Sequence, residues 1–190
     1  MKGMIERALK LPRRGDPMRK AVETLYLIRV TRDKLSRMAS RIEERKAELT
    51  RRMVDLEARG EKYLARKYAE EIARLHELLK RLSALQLVIE KVDLAVQHAI
   101  VMRDLTTLSL ELTALMKDVS KLPEARIPDL AVMFSELEAT ARELSEVAFS
   151  GATLSYSPPS SSEVSKILEE ARELLKKSLI PEDEKPGSKA

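Results

Sequence analysis

The sequence predicts an all-α protein: a long antiparallel helical hairpin, then shorter helices and a flexible C-terminal tail. Ala, Leu, Glu, Lys and Arg dominate the composition, which is typical of long helices. Only six of the 190 residues are aromatic, so aliphatic helix-on-helix packing has to supply the buried area that large rings usually provide. Apolar residues also recur every seven positions over long stretches without Pro or Gly, which favours paired, coiled-coil-like helices.

The hairpin is predicted to begin at Asp16 and Pro17, which suit an N-cap and a first helical residue. Its two helices should cover residues 17–59 and 61–122, joined at Gly60, with a bend near residues 102–107. A joint this short between two long helices implies an antiparallel pair. The apolar positions of the first helix are Ala21, Ile28, Leu35, Ile42, Leu49 and Leu56, and those of the second include Leu64, Tyr68, Leu75, Leu82, Ile89 and Val96.

Shorter elements follow the hairpin. Residues 129–149 form an amphipathic helix that would complete a helical core over residues 16–149. Residues 151–162 are rich in Ser and Pro, which indicates a flexible linker. A further amphipathic helix is expected over residues 163–179, and residues 180–190 are expected to be disordered. That last helix suits either a groove on a partner or the surface of the hairpin, and the sequence leaves both open.

Residues 1–15 combine a short amphipathic helix, predicted for residues 1–11, with dense positive charge. Seven Lys and Arg fall within the first twenty residues, and Pro12 and Gly15 separate the segment from the hairpin. An apolar face beside a polybasic cluster suits the interface of an anionic membrane. The predicted membrane-binding residues are Met1, Lys2, Met4, Ile5, Arg7, Leu9, Lys10, Arg13, Arg14, Arg19 and Lys20.

The charge distribution leaves other interpretations open. Residues 1–60 hold 17 Lys and Arg against 9 Asp and Glu, whereas residues 121–190 hold 9 against 13. The basic head could therefore pair with the acidic part of the same chain or of another copy. Nucleic acid would also be attracted, but no aromatic residues interleave the cations and no reader motif is present, so specific nucleic-acid binding is not expected.

The sequence offers little basis for catalysis. The chain contains no cysteine, and its two histidines, His76 and His98, lie 22 residues apart on one predicted helix, or about 33 Å. Its carboxylates alternate with Lys and Arg on solvated helix faces, where general acid–base chemistry is not expected. We therefore expect no enzyme activity, no cofactor and no metal site. The absence of Asn and the abundance of Glu, Lys and Arg favour a thermophilic source.

The order of these elements resembles an ESCRT-III subunit, and more closely a CdvB-type paralogue of archaeal cell division. The resemblance covers roughly residues 1–149. It depends on the basic start MKGMIERALKLPRRG, the joint EARGEKYLARKYAEEIARL, the segment VIEKVDLAVQHAIVMRDL and the helix IPDLAVMFSELEATARELSEV. The chain has no room for the winged-helix element of the longer paralogue, which indicates one of the shorter paralogues.

The resemblance implies a non-enzymatic protein that polymerises on membranes and constricts them. The expected partners are an anionic membrane, other copies of the chain and paralogous subunits. The expected location is cytoplasmic, peripheral on the inner face of the cell membrane at the division site. By position, residues 129–149 resemble the helix that packs across a neighbour's hairpin tip, which makes the expected polymer-interface residues Leu130, Met133, Phe134, Leu137 and Leu144.

The C-terminal part departs from the family pattern. The family binds a Vps-four-like AAA ATPase through either an amphipathic helix or a proline-rich strip, and EEARELLKKSL and SLIPEDEKP resemble these only loosely. Direct recruitment and co-assembly with a recruiting subunit both stay open. The candidate partner-binding residues are Ile167, Leu168, Arg172, Leu174, Leu175, Leu179 and Pro181. A chromosome-associated coiled-coil protein and a soluble helical adaptor are the alternative functions.

Overall fold

The computed structural model describes residues 15–150 and 162–180, and over these ranges the protein is all-α without strands, as predicted. Its helices are α1 (Pro17–Ala58), α2 (Lys62–Met102), α3 (Leu105–Ser120), α4 (Pro128–Ser150) and α5 (Glu163–Ser178), and a short 3-10 helix covers Pro123–Arg126. Residues 1–14, 151–161 and 181–190 lie outside the described ranges. The predictions of an N-terminal membrane helix, a Ser/Pro linker and a disordered end fall almost wholly there.

Local sequence explains how the hairpin starts and turns. The Asp16 side chain accepts a hydrogen bond of 3.0 Å from the backbone N–H of Met18, and Pro17 occupies the first turn, where a missing N–H costs little. At 42 residues α1 is about 63 Å long. The chain reverses at Gly60, whose φ of 75° is a conformation that a side chain would strain.

Polar contacts set the register of the antiparallel pair. The guanidinium of Arg29 on α1 donates to the Asp93 carboxylate on α2 over 3.3 Å, and Arg32 reaches the same carboxylate. Toward the turn, Lys46 Nζ lies 3.5 Å from His76 Nδ1. Both contacts fit one continuous register, so each residue of α1 lies opposite a defined residue of α2.

The second half of the predicted hairpin, residues 61–122, is not one helix. α2 ends at Arg103, whose φ of 55° is left-handed, and α3 begins at Leu105 in a new direction. By residue 124 the chain is back beside the middle of α2, because Glu124 pairs with Arg81. The reversal lets α3 bury a broad apolar face that a single extended helix of about 93 Å would have left in water. The buried residues of α3 are Leu105, Thr107, Leu108, Ser109, Leu112, Leu115, Met116 and Val119.

The helices form a five-helix bundle around the base of the hairpin. α4 packs against α1 and α3, and α5 packs against α2 and α3. The core is continuous across all five helices and includes Ile28, Leu35, Leu82, Leu85, Ile89, Leu108, Leu112, Leu130, Leu137, Leu144, Leu168 and Leu175. Beyond the bundle, residues 43–77 continue as two helices alone, with only Leu49 and Ala65 buried. This hairpin tip reaches about 25 Å past the core.

Candidate membrane-binding and assembly surfaces

One face of α1 carries cations that the fold leaves available. Arg19, Lys34, Arg37 and Arg41 fall within an arc of about 60° at 3.6 residues per turn, over an axial length of about 33 Å. We call these four residues the α1 cationic face. Arg19, Arg37 and Arg41 are exposed and Lys34 is half-buried. Among the residues that the structure describes, none of the four has a carboxylate partner within ion-pair distance.

The sequence identified only one member of this face. Arg19 is among the predicted membrane-binding residues, whereas Lys34, Arg37 and Arg41 are not. Their spacing of three and four residues was the available signal. It became meaningful only when the structure showed that the four cations form no ion pair within the described ranges, although Asp129 of α4 lies in the same surface pocket as Lys34, Arg37 and Arg41.

Lys20, by contrast, binds within the fold. Its ammonium contacts the Glu143 carboxylate of α4 and the Glu23 carboxylate one turn away at 3.1 Å. The hydrogen bond with Glu143 raises the pKa of Lys20 above its ordinary value. The side chain therefore joins α1 to α4, and in this conformation it is not free to contact lipid.

The other predicted membrane-binding residues lie outside the described part of the chain. They are Met1, Lys2, Met4, Ile5, Arg7, Leu9, Lys10, Arg13 and Arg14, and their assignment stays a prediction. The structure does show where this segment joins the described part of the fold. Gly15 precedes α1 at the end of the bundle opposite the hairpin tip, next to the α2–α3 reversal.

The predicted polymer-interface residues face inward here. Leu130, Leu137 and Leu144 of α4 are at most 1% exposed, Phe134 is 3% exposed and Met133 is 7% exposed. They pack against α1 and α3, which is why α4 has a regular apolar stripe. In this conformation these side chains cannot reach a second copy, so a role in polymer contacts would require α4 to separate from the bundle.

The predicted partner-binding helix is also engaged internally. Ile167, Leu168, Leu175 and Leu179 are buried against α2 and α3, and Leu174 is half-buried at the same core. Polar contacts fix the helix at its edges: Arg172 donates to Asp118 of α3, and Lys91 of α2 donates to Glu170 over 2.8 Å. Of the two interpretations left open, the structure shows the helix folded onto its own hairpin. Pro181 lies outside the described residues.

Arg81 joins α5 to the rest of the bundle. Its guanidinium donates through Nε and Nη2 to the Glu124 carboxylate of the 3-10 helix, and Nη2 also donates to the Leu179 carbonyl over 3.0 Å. The hydrogen bond with Glu124 raises the pKa of Arg81. Glu124 is buried, so its charge depends on this one arginine. We call this three-way contact the Arg81 latch.

The hairpin tip is the part of the fold with the least internal packing. Val54, Tyr63 and Leu64 are exposed there, and Lys67 Nζ lies 5.7 Å from the centre of the Tyr63 ring. Leu64 was predicted to lie in the helix–helix seam, but Ala65 occupies the buried position. Apolar side chains gathered on a projecting element mark it as a candidate contact surface for other proteins.

The described residues offer no arrangement typical of catalysis. No three His, Asp or Glu side chains in residues 15–150 and 162–180 are grouped so that they could hold a metal ion. The buried carboxylates of Asp93 and Glu124 are each satisfied by arginine. No helix in these ranges is long and apolar enough to cross a membrane.

The fold and these surfaces define a class of helical protein with a long projecting hairpin, a closed bundle and an exposed cationic helix face. Cell division protein B1 of Sulfolobus acidocaldarius is similar to this chain: the two are 25% identical over 169 residues, which cover 86% of this chain and 77% of that protein. The similarity extends over most of the chain and supports the resemblance to CdvB-type proteins, without deciding the paralogue. No protein-family model and no solved structure matches the chain.

Proposed function

We infer that this chain is a non-enzymatic, filament-forming subunit of an ESCRT-III-like machinery that constricts and cuts membranes during archaeal cell division. The observation that carries the proposal is the α1 cationic face, a 33 Å row of unneutralised cations by helical rise, on a long helix of a chain similar to a named cell division protein. Cations near an anionic surface contribute roughly 1 kcal/mol each, so four of them give useful but reversible affinity.

The closed bundle suggests how assembly is controlled in this proposal. The apolar faces of α4 and α5 are surfaces that another copy could use, and both are buried within the monomer. The soluble chain would therefore be a storage form, and release of α5 and α4 would expose surfaces for neighbours. The hairpin tip, which needs no such release, would make the first contacts between copies.

Co-sedimentation with anionic vesicles tests the membrane part of the proposal. The triple variant Lys34→Gln, Arg37→Gln, Arg41→Gln should weaken binding about 100-fold, since each removed cation is worth roughly 1 kcal/mol. The matched control is Lys80→Gln, Lys176→Gln, Lys177→Gln, which removes the same charge from exposed positions on α2 and α5. Equal loss in both variants would show that net charge, not the α1 cationic face, decides binding.

Polymerisation and nucleic-acid binding are measured on the same protein. Electron microscopy of the chain on anionic vesicles should show filaments whose formation depends on the α1 cationic face. If the chain instead binds duplex DNA more tightly than vesicles at the same salt concentration, with affinity falling steeply as salt rises, the chromosome-associated alternative is correct.

A further inference from the structure

The outer side of the hairpin base carries an apolar strip that no described element covers. On α2, Leu87, Leu94 and Val101 are spaced by seven residues and are 52%, 50% and 78% exposed. Residues at this spacing lie nearly in line along a helix, so they form a row about 21 Å long.

Two side chains of α1 widen this row. Val22 and Tyr26 are exposed and one turn apart. Because Arg29 lies opposite Asp93, Val22 is level with residues 100–101 of α2, and Tyr26 is level with residues 96–97. We call Leu87, Leu94, Val101, Val22 and Tyr26 the base strip. It lies in the part of the hairpin where α4 packs against α1 and α5 packs against α2.

Acidic side chains border the α2 row on both sides, whereas the α1 edge of the base strip carries Arg19 and Arg29. Glu90 is exposed on α2, three residues before the Arg29-bound Asp93, which faces α1. On the other side, Lys91 pairs with Glu170, which places Glu163 of α5 level with residues 97–98 of α2. Within residues 15–150 and 162–180, neither Glu90 nor Glu163 has a cationic partner.

The N-terminal segment, residues 1–14, matches this surface in position, length and charge. It joins the fold at Gly15, at the end of the bundle where Val22 and Val101 lie. The amphipathic helix predicted for residues 1–11 would be about 16 Å long, enough to cover Leu94 and Val101, which are about 10 Å apart by helical rise. The segment has five Lys and Arg against one Glu, a charge opposite in sign to Glu90 and Glu163 beside the α2 row.

We propose that the base strip is the docking site of this chain's own N-terminal segment, whose apolar face covers Leu94 and Val101 while its cations meet Glu90 and Glu163. Pro12 and Gly15 supply the reversal that returns the segment along α2. Docking would conceal the same apolar side chains that insertion into a lipid interface needs, so the two uses exclude each other. The proposal concerns the chain in membrane-free solution and does not depend on the proposed function.

Cross-linking between two introduced cysteines tests the docking, because the chain has no cysteine of its own. The test pair is Met4→Cys with Leu94→Cys, and the control pair is Met4→Cys with Leu110→Cys on α3, at the same end of the bundle. Leu110 and Leu94 are similarly exposed, at 48% and 50%, so both variants should fold and react alike with a maleimide. A short bismaleimide at low protein concentration should link the test pair within one chain about tenfold faster than the control, because docking raises the effective concentration.

Charge reversal provides the second measurement. Glu90→Lys with Glu163→Lys should slow the internal link of the test pair, whereas Glu44→Lys with Glu57→Lys, a control on the hairpin tip, should not. Equal rates for the pairs 4/94 and 4/110 would overturn the proposal, and so would equal slowing by both reversals. Covalent dimers in place of an internal link would assign the base strip to a second copy. The cross-linking is done without vesicles, so its result does not depend on whether the chain binds membranes.

Discussion

Replacing Arg81 with Ala should destabilise the bundle and release α5. The Arg81 latch connects α2 with the 3-10 helix through the buried Glu124 carboxylate and with the end of α5 through the Leu179 carbonyl. Truncation would leave Glu124, which is 3% exposed, without its cation. It would also remove the donor at the C-terminal end of α5, where carbonyl groups have no helical partner.

The magnitude follows from the burial of the two partners. Removing one member of a buried ion pair costs about 3–5 kcal/mol, because the remaining charge is uncompensated. The Arg81 side chain is 23% exposed, so water can reach the site after truncation and the lower end of that range applies. We therefore expect the free energy of unfolding to fall by about 3 kcal/mol. The double variant Arg81→Met, Glu124→Met buries no charge and should recover most of that loss.

Urea unfolding followed by far-UV circular dichroism measures the stability, and hydrogen exchange read by mass spectrometry measures the release of α5. In Arg81→Ala, amide protection should fall first in residues 163–179, since the carbonyl contact at Leu179 is lost there. The control is Arg172→Ala, which breaks a partly exposed pair with Asp118 and should cost less than about 1 kcal/mol. A loss below 1 kcal/mol in Arg81→Ala, or a double variant no more stable than the single one, would refute the reasoning.

Two further predictions concern Lys20 and the hairpin tip. The pKa of Lys20 is raised in the folded state, so its bond to Glu143 contributes fully to stability below the ordinary lysine pKa of 10.5. That contribution is lost as the pH rises through the higher pKa of the folded state. The stability difference between the wild type and Lys20→Met, from urea unfolding, should therefore be constant from about pH 7 to pH 10 and shrink above it. A difference that shrinks as the pH falls from about 10 to 7, where the glutamates stay ionised, would contradict the sign. Deleting residues 46–52 together with residues 70–76 removes one matched heptad from each helix of the hairpin tip and only one buried side chain, Leu49. Thermal unfolding should then show an intact bundle, whereas filaments on anionic vesicles should be lost or changed in spacing; unchanged filaments would show that the hairpin tip makes no contacts between copies.

The heptad pattern predicted the helices and their inner faces well, because burial of an apolar stripe depends on spacing alone. Ile28 and Leu35 of α1 and Leu82 and Ile89 of α2 are buried where the pattern placed them. The pattern identifies which face of a helix is buried but not what packs against that face. It therefore could not show that Arg32, which interrupts the apolar seam, faces Asp93.

The sequence predicts the bend near residues 102–107 but not that the chain reverses there. Residues 61–122 contain no Pro or Gly, so nothing local indicates a full reversal at Arg103, where a non-glycine residue adopts a left-handed conformation at a cost of about 1–2 kcal/mol. Burial of the α3 core, which includes Leu108 and Leu112, offsets that cost, and this is a tertiary effect. Likewise, the apolar face of α4 predicts a partner helix but does not distinguish a partner in the same chain from one in a neighbour.

The distribution of charge within the closed bundle favours an external anion for the α1 cationic face. The acidic half of the chain packs directly beside α1, and Glu143 of α4 does reach Lys20. Asp129, the second residue of α4, lines the same surface pocket as Lys34, Arg37 and Arg41, but it forms no ion pair with them. The described fold pairs Arg81, Arg29 and Arg172 with internal carboxylates and leaves the α1 cationic face without an ion pair. Four cations near one unpaired carboxylate keep a net positive charge that is available for a partner, and a row of cations along a rigid helix suits an extended anionic surface better than a small ligand.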